Sequence, residues 1–521
     1  LHGSDIVAVE ALGLQSGNTT HGHRFEAAVD PVVLADADSY AETLTRDGAV
    51  IASFAARRAL IDEHLAQAAG KLNATVAADE ALRDEVTALV ELPVVLEAGF
   101  EAHFLNVPQE CLILTMQQNQ KYFPLLDTDG KLMSRFLLVS NLQTDDPSDI
   151  IQGNERVLRA RLSDAEFFYT QDKRVTLESR LSKLANVVYH NKIGNQAERI
   201  SRLTSIAGSI AKALGADVAV AERAARLAKA DLVTEMVGEF PELQGTMGKY
   251  YVRLDGESEE LAAAIEQHYQ PRFAGDALPE GKIATAVSLA DKLETLVGIW
   301  GIGLVPTGDK DPYALRRAAL GVLRMLMQYD LNAADLIQTA FGSFPAGVLN
   351  PKTPAEVADF MQARLAVLLQ NDYPQDVVAA VLAKEPQRLG DIEGRLNAVA
   401  AFKALPEAAA LASANKRVHN LLKKADAEVG AVNEALLQQS EEKALFAAAQ
   451  ALAPKIEAAL AKQDFQTALT ELAAIKPQVD TFFDGVMVMA DDAAVKQNRL
   501  NLLNQLAQQM NAVADIALLG E

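Results

Sequence analysis

The first residues that could do chemistry lie on one short stretch. ASANKRVHNLLKKAD, Ala412 to Asp426, carries Lys416, Arg417, Asn420, Lys423 and Lys424. Spacings of three, four and seven gather several of these on one face of a helix. Such a face can grip phosphate oxygens, with Asn420 or His419 set against a base edge. A solvated helix face is the plain alternative. A second basic pair, Lys496 and Arg499, lies three apart in FFDGVMVMADDAAVKQNRLNLLNQLA, behind Phe482 and Phe483, which read as core residues or stacking platforms.

A third candidate is GIGLVPTGDKDPYALRRAALGVLRML, Gly301 to Leu326. Gly303 and Gly308 have the spacing of the outer glycines of a phosphate loop. Asp309 precedes Lys310 and Asp311 follows it, so the lysine and hydroxyl of that motif are not in register. The stretch reads instead as helix, loop, helix, with Asp311 as the cap and Pro312 at the first helical position. Arg316 and Arg317 then diverge on the helix. One is expected to bind the acids of GDKD, the other RNA or a neighbouring domain.

Hydrolytic chemistry has weaker support. His190, Asp231, His268 and Asp291 are residue types that hold divalent ions. The residue before Asp231 is Ala230, so an adjacent His-Asp pair is missing and no metal site is expected. Glu239 and Glu242 in GEFPELQG form a carboxylate pair with no nucleophile nearby; Pro241 and Gly245 mark a turn. Cys111 has no Cys-His-acid signature around it and reads as a small buried hydrophobe.

The composition frames these candidates. The chain has 521 residues, 50% of them hydrophobic, and a formal net charge of -22. That length favours several domains. The charge repels nucleic acid at long range and excludes a general coat protein for DNA or RNA, though not a local basic surface. One such surface is expected between Asn154 and Arg202, from Arg156, Arg159, Arg161, Lys173, Arg174, Arg180, Lys183, Lys192, Arg199 and Arg202. No uninterrupted apolar run has the length of a bilayer span, and no membrane association is expected. A single cysteine rules out intramolecular disulfides and favours a reducing compartment. The chain opens on Leu1, which suggests a fragment or a processed product.

The elements that must position these residues follow from periodicity. Residues 1 to about 50 read as loop-rich with short apolar stretches. Helical spacing runs from Tyr40 to Glu91, and the following stretch breaks at Pro93. VPQECLILTMQQNQKYF reads as a short helix opened by Pro108. PLLDTDGKLMSRFLLVSNL reads as a hairpin turning at Asp129-Gly130. From Gly153 onward the pattern is helical, with an Ala-, Leu- and Gln-rich tail over 390–521 broken at Pro406, Pro454 and Pro477. The expected class is therefore multidomain and predominantly α-helical, with a small α/β portion.

Several long strings, PQECLILTMQQNQKYFPLLDTDGKL, GNERVLRARLSDAEFFYTQD, HYQPRFAGD, GIGLVPTGDKDPYALRRAALGVLR and ANKRVHNLL, resemble the beta subunit of bacterial two-subunit glycyl-tRNA synthetases, in that family's order. The resemblance spans essentially the whole chain and implies a chain truncated at its N-terminus. It implies a partial B3/B4-like α/β region with a helical insertion over 1–150, similar to phenylalanyl-tRNA synthetase beta chains. An HD-like helical domain is implied over 151–335, a helical linker or body over 336–389, and an anticodon-binding-like helical domain over 390–521. It implies a non-adenylating subunit that positions tRNA-Gly, while the alpha subunit uses ATP and magnesium to form glycyl-tRNA. This chain itself is expected to bind no cofactor and to contribute no catalytic residue. The implied partners are the alpha subunit and tRNA-Gly in an assembly with two copies of each subunit, in the bacterial cytoplasm. The tRNA-facing candidates are Arg316, Arg317, Arg395, Lys416, Arg417, Asn420, Lys423, Lys496 and Arg499. Two other readings compete: a helical scaffold without an RNA role, and an HD-type phosphohydrolase.

Overall fold

The computed structural model describes residues 1–425 and 430–519. Asp426, the end of the basic stretch, and the last two residues of the 390–521 tail lie outside the described residues. The chain is predominantly helical, with small antiparallel sheets. It packs as two compact units. One is Leu1–Arg180 with Asp231–Asp255; the other is Leu181–Ala230 with Gly256–Glu521. The 151–335 segment therefore contributes residues to both.

The first unit is built on a four-stranded sheet. Its strands are β1 (Thr75–Val76), β2 (Val94–Gly99), β3 (Phe123–Leu126) and β4 (Leu132–Ser140), in the order β1-β3-β4-β2. β3 and β4 are the hairpin expected from Asp129-Gly130. Its turn is held by Asp127, whose carboxylate accepts from the Asp129 and Lys131 amides, both at 2.9 Å, and Gly130 takes φ +75. β2 corrects the reading of this stretch as a broken helix. Val94 and Val95 follow Pro93 directly, and β-branched residues there pair along β4.

Two helices cover one face of this sheet, α1 (Phe54–Lys71) and α2 (Glu80–Leu89). Ser53 and Asp79 cap them by accepting from the Ala56 and Leu82 amides. Ile61, Leu65 and Ala69 recur every four residues on α1, and Leu82, Val86 and Val90 do so at α2. They close a core on Phe123, Leu125 and Leu137. Each of the large members contributes roughly 1.5–3 kcal/mol by leaving water. The long helix α3 (Ser148–Asp172) ends on a buried acid. Asp172 accepts from the Glu235 and Met236 amides and the Tyr251 hydroxyl, and pairs with Arg180 at 3.2 Å. Cys111 is fully buried with its Sγ 3.2 Å from Met236 Sδ, and burial pushes its thiol up to about 12, so it is inert.

The second unit is helical. α4 (Gln196–Ala213) starts with a capping box between Asn195 and Glu198 and packs on α5 (Val218–Leu227). At the centre runs α6 (Gly281–Gly301), buried on nearly every side, as a helix apolar all round must be. α7 (Leu315–Leu326) crosses it closely at Gly321, where a Cβ would stand 2.9 Å from Lys292 Cε. α8 (Thr353–Leu369) follows. The tail supplies α9 (Ile392–Lys403), α10 (Ala408–Ala425), α11 (Ser440–Ala461), α12 (Phe465–Ala473), α13 (Lys476–Gly485) and α14 (Ala493–Met510). α11 is one helix that, by length and composition, could cross a bilayer, a case that counting uninterrupted apolar runs did not find. It packs Leu445, Ala449 and Ile456 against α12, α13 and α14.

Candidate nucleic-acid interface

α10 forms because its apolar positions return every three or four residues. Ala408, Leu411, Ala412, Asn415 and Val418 are buried. Asn415 is the polar member of that face; its amide donates to Asn511 Oδ1 at 2.8 Å, so burying it leaves the group satisfied. The opposite face presents Lys416, Arg417, Asn420, Lys423 and Lys424 to solvent. Lys423 and Lys424 stand in the last turn, where the helix carbonyls favour positive charge. The Arg417 guanidinium lies 4.4 Å from the centre of the Phe483 ring, which holds it in place without neutralising it. His419 is the exception on this stretch. Its Nε2 faces the Asn511 amide nitrogen at 3.1 Å, so Asn420 is the side chain left to read a base. Phe482 is core and Phe483 is the platform under Arg417.

The other candidates scatter by role. Arg499 is a correction: its side chain is 7% exposed, pairs with the fully buried Glu442, and donates to the Met487 carbonyl at 2.8 Å. Three residues apart on a helix is about 300° of rotation, enough to leave Lys496 half-exposed while Arg499 turns inward. Arg395 is half-buried. It pairs with Asp391 at 2.9 Å, donates to the Val513 carbonyl and lies 4.5 Å from the Phe465 ring centre, so structure consumes its donors. Arg316 donates to the Gly308 carbonyl rather than to the acids of GDKD, while Arg317 is exposed. Asp311 does cap the helix, accepting from the Leu315 and Arg316 amides at 2.8 and 2.9 Å. Pro312 sits before α7 rather than at its first position, because Ala314 takes a left-handed conformation and the helix starts at Leu315.

These placements separate two arginine populations, and a paired substitution reads the difference. Arg499→Ala strands Glu442 in the core and is expected to cost about 3–5 kcal/mol. Lys496→Ala is expected to stay within about 0.5 kcal/mol of the parent chain. Urea unfolding followed by circular dichroism decides; equal midpoints for the two variants would refute the assignment.

The basic run from Asn154 to Arg202 also divides. Arg156, Arg159 and Arg161 are exposed on α3, whereas Arg180, Arg199 and Arg202 are buried and paired. Within the second unit, Arg199 meets Asp291 and Glu294, each at 3.0 Å. Arg202 meets Glu294 at 2.8 Å, and Lys229 Nζ lies 3.0 Å from Asp291 Oδ1. Burial alone would raise the Asp291 carboxyl. Lys229 and Arg199 outweigh it and hold the group far below the ordinary carboxylate range. Burial, then Lys229, keeps His268 well below the usual imidazole value. Asp291 is thus a permanent anion tied to internal cations. His268 contacts the Ile265 carbonyl through Nδ1, and in the first unit Asp231 accepts from the Gly245 and Gly248 amides. Among the described residues no three His, Cys, Asp or Glu side chains form a group that could hold a metal ion.

Sequence comparison bears on this arrangement. Residues 1–383 match the family described as glycyl-tRNA synthetase beta subunit, and residues 411–519 match the DALR anticodon binding domain. The chain is similar to the glycine--tRNA ligase beta subunits of Neisseria meningitidis serogroup B and Neisseria gonorrhoeae. Each is 79% identical over 521 residues, covering all of this chain and 76% of the relative. The beta subunit of Ralstonia nicotianae is 56% identical over 519 residues, 99% of this chain and 74% of the relative.

Proposed function

Because the chain belongs to the glycyl-tRNA synthetase beta-subunit family, we propose that it binds tRNA-Gly and places the acceptor end in the active site of an alpha subunit. The reaction is ATP, glycine and tRNA-Gly giving glycyl-tRNA, AMP and diphosphate. On this reading ATP and magnesium are used by the alpha subunit, and this chain holds neither. Its contribution is placement. Holding two reactants in register removes translational and rotational entropy from the barrier without supplying a reacting group.

The observation that carries the reading is the exposed basic face of α10 inside the segment matched by the anticodon-binding family. Lys416, Arg417 and Lys423 would contact phosphates, which fix register, and Asn420 a base edge, which reads sequence. Concentrating charge on one helix lets an acidic chain bind RNA, because counterion release depends on the local contacts. The same reading assigns 390–521 to tRNA recognition, 151–335 to an HD-like helical body, 336–389 to a linker and 1–150 to a B3/B4-like region. It places the protein in the bacterial cytoplasm, in an assembly with two copies of each subunit.

Glycine attachment tests this. Purified alpha subunit is assayed with tRNA-Gly alone, with this chain, and with a full-length relative as control. The expected result is that charging depends on a beta chain. A full-length beta chain that adds nothing to the alpha subunit's activity would overturn the proposal and favour a scaffold without an RNA role.

A further inference from the structure

The loop-helix stretch around Arg316 and Arg317 closes one wall of an open cleft of about 520 Å³, a size typical of small-ligand sites. Phe273, Arg316, Arg317, Arg324 and Asn371 line it, as does Asp311. The cleft lies outside 411–519 and shares no residue with the α10 face.

Its chemistry is specific. Arg317, Leu320, Gly321 and Arg324 fall at spacings of three, four and seven, one stripe of α7 facing the cleft. Arg317 is exposed, and no hydrogen bond or ion pair engages it among the described residues. Arg324 donates through one nitrogen to the Asp276 carbonyl at 2.8 Å. Its Nη1 is enclosed without a hydrogen-bond partner, so that charge adds to the potential of the wall. The Asp311 carboxylate is occupied by two backbone amides. The remaining balance is positive, in a chain of net charge -22. Phe273 stands at the rim, 60% exposed, which is costly for a phenylalanine unless something covers it. Asn371 offers both a donor and an acceptor.

We propose that this cleft binds one unstacked nucleotide, its phosphate on Arg317 and its base on Phe273. The inference rests on the tRNA-binding reading for its source, a single-stranded segment of RNA, with a free nucleoside monophosphate as the other source of the same chemistry. An aromatic platform beside a guanidinium is how single strands are held without reading sequence.

The test uses the whole chain, a short fluorescent single-stranded RNA, and AMP as competitor. Phe273→Ala is expected to weaken RNA binding about fivefold or more with the salt slope unchanged. Arg317→Glu is expected to weaken it and to lower the slope by about one, while Arg317→Lys keeps the slope. Both side chains are exposed, and thermal unfolding checks that the variants fold. AMP that competes in the parent chain and not in Arg317→Glu supports the cleft with a free nucleotide as occupant. RNA binding that AMP does not displace, yet that both variants lose, supports the RNA source. Unchanged binding of both probes in both variants overturns the cleft. Intact tRNA-Gly titrated against the same variants and against Arg417→Glu separates the two claims. If only Arg417→Glu weakens tRNA binding, the cleft falls and the tRNA reading stands. If the parent chain binds no tRNA, that reading falls, and the AMP arm still decides the cleft.

Discussion

Replacing Arg417 and Lys423 with glutamate is expected to lower the affinity of the chain for tRNA-Gly by about a hundredfold at moderate salt. Each reversal removes one phosphate contact and adds one repulsion, which is roughly tenfold per residue when counterion release dominates. The double variant is also expected to lose about two units from the slope of log affinity against log salt. Both side chains are exposed on α10, away from its buried face, so the fold is spared. The only internal contact broken is Arg417 over Phe483, which is worth roughly 0.5–1 kcal/mol at an exposed site. Filter binding across a salt series measures both quantities. A double variant that binds tRNA-Gly as the parent does would remove α10 as the interface.

The second large effect is on stability. Glu294→Ala should destabilise the second unit by about 3–5 kcal/mol, because it leaves Arg199 and Arg202 buried beside an empty position. Glu294 is fully buried and bridges the two guanidinium groups. Combining it with Arg202→Met should recover part of the loss, since both partners of a buried pair then become apolar. The single tryptophan, Trp300, lies on α6 with Glu294 and donates to Glu356 at 3.0 Å, so its fluorescence reports this helix directly. Urea unfolding that gives one midpoint for parent and Glu294→Ala would show that the cluster contributes nothing net.

What could be read from the sequence was local. The Asp129-Gly130 turn, the cap at Asp311 and the inward and outward faces of α10 each depend on a few neighbouring residues, and each is present. The strand at Val94 went unread because a short apolar run carries no period that separates strand from helix. The failure over Arg199, Arg202 and Arg499 has another cause. Charge in a sequence looks the same whether it faces water or a buried carboxylate. The partners of these three lie 57 to 95 residues away along the chain. The stripe from Arg317 to Arg324 was legible by spacing alone. Its partner Phe273 was not, because only the fold brings that loop to α7.

The interleaving of the two units also sets an order on biogenesis. The first unit needs Asp231–Asp255, whose residues carry Met236 and Tyr251 to the buried contacts with Cys111 and Asp172. The ribosome must therefore make all of Leu181–Ala230 before the first unit can close, a wait of several seconds at bacterial elongation rates of about 5–20 residues per second. During that interval the sheet and α3 exist without their last partners, so the nascent chain is a natural client for chaperones. Cutting the gene at residue 180, the obvious place to separate the sheet from the helices, would make that unfinished state permanent.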